Sequence, residues 1–81
     1  MVFAVIYAED AQIVGTYESV EEATERLAQV VASKPTLQDE IGIRAYEHGR
    51  PAGDWHPASE ILAGEITQPQ LAAQARAAAL H

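Results

Sequence analysis

Two rhythms of hydrophobic and polar positions alternate along this chain. Residues 2–8, Val-Phe-Ala-Val-Ile-Tyr-Ala, form an unbroken apolar run of β-branched and aromatic side chains, which predicts a strand. Val2, Ala4 and Ile6 fall on one side of it, and Phe3, Val5 and Tyr7 on the other. A strand apolar on both sides is normally covered on both. Glu9-Asp10-Ala11 breaks the run, and residues 12–17 are strand-like again, so the two should pair as a tight hairpin. Gly15 inside the second strand marks a bulge or a close approach.

The period then becomes helical. Val20, Ala23, Thr24, Leu27, Val30 and Val31 make one apolar stripe, with Glu21, Glu22, Glu25, Arg26 and Gln29 facing away. Ser19 and Glu22 have the spacing of a capping box, which satisfies amide donors at the helix start. Acids in that first turn suit the positive end of the helix dipole. Pro35 should end the helix by about Ser33.

Residues 36–40 read as a loop. Ile41, Ile43 and Ala45 then alternate with Arg44 and Tyr46, predicting a strand with the first three inward. Residues 48–54 are rich in turn formers, and Trp55 should anchor that loop on the core. Residues 57–63 suggest a short helix, with Pro57 at its start and Gly64 just past its end. Residues 65–67 fit a brief edge strand or a loop. From Gln70 the chain is Ala-rich, with high helix propensity but only Leu71 and Leu80 as large anchors.

These elements define an α+β fold: a small antiparallel sheet of three to four strands with one main amphipathic helix in ββαβ order, followed by the Ala-rich helical segment. Residues 1–68 are expected to be the single domain and residues 69–81 a helical segment or tail. One 14-residue helix cannot cover both sides of the first strand. The second side calls for the C-terminal segment or another subunit, which makes a homodimer the expected state.

Composition narrows the classes. The chain has 81 residues, so a second domain is not expected, and no cysteine, which removes disulfides and thiolate metal sites. Its apolar stretches are far too short for a membrane-spanning helix, and no basic residues precede the first as in a signal peptide, so a cytoplasmic protein is expected. The net charge is −7, with Glu9, Asp10, Glu18, Glu21, Glu22 and Glu25 and no Lys or Arg in the first 25 residues. With five basic residues in all, direct binding to nucleic acid or to an anionic membrane is not expected, because both need phosphate neutralisation. A basic protein partner fits better, through the surface that Glu18, Glu21, Glu22 and Glu25 would form.

Site chemistry is sparse. Glu47, His48, Asp54 and His56, flanked by Tyr46 and Trp55, make the densest polar cluster, and two histidines with two carboxylates could bind a divalent metal or a ligand. The spacing matches no metal motif, and exposed loop residues are the plainer reading. Catalysis by His48 or His56 would need an oriented nucleophile or carboxylate, and the three serines offer none by sequence: Ser19 is accounted for by capping, Ser33 ends a helix and Ser59 sits in a helical turn. Tyr7, Tyr17 and Tyr46 could line a pocket, though strand tyrosines more often form packing pairs. No Gly-rich phosphate loop is present, and no cofactor is expected.

The hairpin followed by Ser19-x-Glu21-Glu22-Ala23 resembles the opening of small antitoxins of the HicB type over about the first third of the chain. The Gly- and Cys-containing turn of that family is missing before Ser19, and the likeness identifies no family. The expected function is a small, non-enzymatic protein-interaction or regulatory module. The alternatives are a charge-based inhibitor of a nucleic-acid-binding protein, and a small enzyme or ligand-binding protein using Tyr46, His48, Asp54, Trp55 and His56.

Overall fold

In the computed structural model, which describes residues 1–79, the doubly apolar run becomes strand β1, Val2–Tyr7, at the interior of an antiparallel sheet. Its hairpin partner β2, Ile13–Tyr17, lies on the sheet edge. The register slips by one residue between Val5 and Ile6, so Gly15 pairs with Val5 while Ile13 pairs with Ile6. Val14 is the extra residue of this bulge. Tyr17 folds back over Gly15, and a Cβ there would lie 2.7 Å from its hydroxyl. Gly15 thus marks both a bulge and a close approach.

The main helix α1, Val20–Ser33, starts and stops where capping chemistry dictates. The Ser19 side chain accepts the Glu22 amide at 3.2 Å, a cap worth about 1 kcal/mol. Val20, Ala23 and Leu27 are buried, with Val30 and Val31 packed beside them. Pro35–Asp39 forms a short 3-10 helix where a plain loop was expected. Strand β3, Ile41–Glu47, then pairs antiparallel along the other side of β1, placing Phe3 opposite Ala45, Val5 opposite Ile43 and Tyr7 opposite Ile41. These six side chains form the front face of the sheet, on which α1 lies.

His48 and Gly49, both at positive φ (+52° and +78°), close a two-residue turn from β3 into β4, Arg50–Pro51. Positive φ at both central residues matches the twist of a hairpin. The outer edge of β3 continues with β5, His56–Pro57, and between the two pairings the register advances by two residues. The two extra residues fall within residues 53–55, between the Ala52 amide, which still bonds the Ala45 carbonyl, and His56.

Helix α2, Ala58–Leu62, follows, and Gly64 at φ +80° lies just past its end. Residues 65–67 form no strand, because Thr67 is already committed to capping the next helix. The Thr67 amide donates to Gln70 Oε1 at 2.9 Å, and the Gln70 amide donates to Thr67 Oγ1 at 3.2 Å, a reciprocal capping box for α3, Gln68–Ala79. Ile66 and Leu71 bracket that box, and both are buried in the shared core. Leu71 and Ala75 seat α3 on the core that also holds Phe3, Val5, Leu27 and Ala45. Leu80, the second anchor read from the sequence, lies outside the described residues.

The fold is therefore α+β, with one antiparallel sheet in the order β2-β1-β3-β4 and β5 on the outer edge of β3. All three helices share the front face. The C-terminal segment does not cross to the back of β1, as one of the two expected covers required. It lies beside α1, because Leu71 and Ala75 find an apolar surface there. No helix among the described residues is long and apolar enough to cross a membrane.

Candidate functional site

With the helices in front, the back face carries Val2, Ala4 and Ile6 of β1, Ile13 and Thr16 of β2, and Gly42, Arg44 and Tyr46 of β3. One corner is closed. The missing side chain of Gly42 points backward, and a Cβ built there would lie 2.7 Å from the His56 carbonyl carbon and 2.8 Å from Trp55 Cε2. The indole crosses the strand through that gap, and its Nε1–H donates to the Ile6 carbonyl at 3.0 Å. The two-residue register advance frees Trp55 to make this crossing. Ile6 is buried as a result. Arg44 tethers the same loop, its Nε–H donating to the Gly53 carbonyl at 3.2 Å.

Ala4, at the centre of the back face, is also buried, and the open part of the face lies around it. A concavity of about 400 Å³ is lined by Met1, Val2, Ile13, Thr16, Tyr46 and the His48–Gly49 turn. Four large apolar side chains are exposed among the described residues, and two of them, Met1 and Ile13, line this concavity, with Ile13 at 50% exposure. Clustering distinguishes such a patch from scattered surface apolar residues. None of the twelve acids occupies a back-face strand position, and Arg44 is the one ionised side chain there. A second concavity, about 420 Å³, lies on the front seam, with Phe3, Val20 and Ala72 as its floor and Glu18, Glu47 and Arg76 around it.

The polar loop read from the sequence is dispersed. His48 sits at the hairpin tip with its side chain 90% exposed, 3.3 Å from Glu47. Tyr46 is half-buried on the back face, and Asp54 is exposed on the loop. His56 is engaged elsewhere: its Nε2 lies 2.9 Å from Gln74 Oε1 and its Nδ1 3.7 Å from Glu60, and its side chain is only 17% exposed. It links β5 to α2 and α3. Among the described residues, no three His, Asp or Glu side chains converge to hold a metal ion. Trp55 does anchor its loop, but on the back of the sheet.

Glu18, Glu21, Glu22 and Glu25 are exposed at the start of α1, and none is in an ion pair among the described residues. Tyr7 and Tyr17 pack against the front core rather than lining a pocket with Tyr46. Sequence reasoning missed the Gly42–Trp55–Ile6 lock. Its signal was a glycine inside an otherwise regular apolar alternation. It also missed the α3 cap, legible as Thr67-x-x-Gln70 before an Ala-rich run.

No protein-family model matches the chain, and neither a curated protein nor a solved structure gives a match.

Proposed function

We propose that this chain is a small acidic protein-interaction or regulatory module that works by docking through the back of its sheet. The observation that carries this reading is the one-sided placement of the helices. It leaves Val2, Ile13 and Tyr46 on an open, charge-poor face of a chain that is otherwise strongly acidic. Scattering of the His48, Asp54 and His56 side chains speaks for binding rather than catalysis, since acid–base work needs groups within hydrogen-bond reach of one another.

A second reading rests on the exposed, unpaired Glu18, Glu21, Glu22 and Glu25, which suit a basic groove on a nucleic-acid-binding protein. One experiment separates the two. The tagged chain is used as bait in its own cell extract, beside Ile13→Asp and a triple Glu21→Gln, Glu22→Gln, Glu25→Gln variant. Docking through the back face predicts that retained protein is lost with Ile13→Asp and kept with the triple variant. The opposite pattern refutes it in favour of the acidic helix.

A further inference from the structure

We infer that the occupant of the open back face is a second copy of this chain, packed sheet against sheet; this rests on the docking face proposed above. Charge selects the occupant. A foreign basic partner would be drawn to α1, where Glu21, Glu22 and Glu25 are exposed, and would find no acid on the back-face strands to pair with. Two copies at −7 each repel through most of their surface. Back to back, they turn both acidic helices outward and meet where neither carries an acid.

The alternative self-contact, edge to edge along β2, is disfavoured by the chain itself. The bulge at Val14 interrupts that edge, and Glu9, Asp10 and Glu18 bracket the strand. Both are devices that blunt a free edge against pairing. In an antiparallel self-pairing the bracketing acids of the two copies would also meet.

Area sets the strength. The three long strands, β2, β1 and β3, have five, six and seven residues, and at about 3.4 Å per residue and about 4.8 Å between strands they give a face of roughly 300 Å² per copy. Stable complexes bury about 800 Å² per partner, so the dimer is weak and concentration-dependent.

The test is light scattering after size exclusion on the full chain, loaded from about 1 mM down to about 1 μM. The wild type should rise toward twice the monomer mass with concentration. Ile13→Asp and Thr16→Lys, both at exposed positions, should each move the midpoint at least about tenfold higher. Leu62→Asp, at an exposed apolar residue of α2 on the opposite layer, should leave it in place. Added salt should tighten the wild-type dimer by screening repulsion between the two acidic copies. A monomer at every concentration overturns the second copy as occupant and leaves the docking face to the bait experiment. A dimer broken by Leu62→Asp and indifferent to both back-face variants overturns the face as well.

Discussion

Replacing Gly42 by alanine tests the packing that closes one corner of the back face. The new methyl would enter the space where the His56 carbonyl and the Trp55 indole cross β3, 2.7 Å from His56 C and 2.8 Å from Trp55 Cε2. Backbone cannot yield there as a flexible side-chain tip would, so β5 must move outward and carry Trp55 with it. Overpacking of this kind costs about 1–3 kcal/mol. Loss of the indole bond to Ile6 adds about 1 kcal/mol. Reduced freedom of the unfolded chain returns about 0.5–1 kcal/mol. The net loss is about 1–3.5 kcal/mol, which in a domain of this size lowers Tm by about 4–28 °C. Far-UV circular dichroism gives the melt. Trp55 is the single tryptophan, so its emission reports the loop directly and should shift to the red in the folded variant. In a Trp55→Ala background the cost of Gly42→Ala should shrink, since residues in contact are not additive. A Tm within about 3 °C of wild type together with unchanged emission would refute the packing argument.

Other outcomes follow from the same geometry. Thr67→Ala removes one half of the α3 capping box and should cost about 1 kcal/mol, with amide exchange rising along residues 68–79 before the rest of the chain in hydrogen–deuterium exchange. Leu27→Ala empties the centre of the front core, where the side chain is fully buried, and should cost about 2–5 kcal/mol in urea unfolding, enough to leave so small a domain close to unfolding. Trp55→Phe keeps an aromatic ring but loses the donor to Ile6, for about 1 kcal/mol in the same assay. His48→Asn should raise stability by about 0.5 kcal/mol, because asparagine tolerates the +52° φ of the hairpin turn better than histidine does; a melting point below wild type would count against the turn geometry.

Much of the front half was legible because local signals agreed with one another. Ser19 and Glu22 announced the start of α1, Pro35 its end, and the apolar stripe its buried face. Ile41, Ile43 and Ala45 alternated as a half-covered strand must, and they are the residues buried under α1. The back of the sheet was not legible, for a physical reason. An apolar strand face says only that something covers it; the C-terminal segment and another subunit were the two candidates, and Trp55 was expected on the core rather than there. Leu71 and Ala75 went to the front. Trp55 went to the back because Gly42, far away in sequence, left it room. The polar loop failed as a site for a related reason. Ten residues hold Glu47 to His56 together along the chain, but the tight turn at His48–Gly49 and the register advance between β4 and β5 send their side chains to different places.

Val2, Ile13 and Thr16 lie on a face that the chain's own helices leave open. Solvent paramagnetic relaxation of the methyl groups, with an inert gadolinium chelate, tests it most directly. At low protein concentration the methyls of Ile13, Val14 and Thr16 should relax as strongly as those of exposed Leu62, and those of Val5, Leu27 and Ile43 hardly at all. On raising the concentration, Ile13 and Thr16 should become protected while Leu62 does not. Protection of Ile13 and Thr16 at every dilution would mean that the chain covers its own back face, and the account would be wrong.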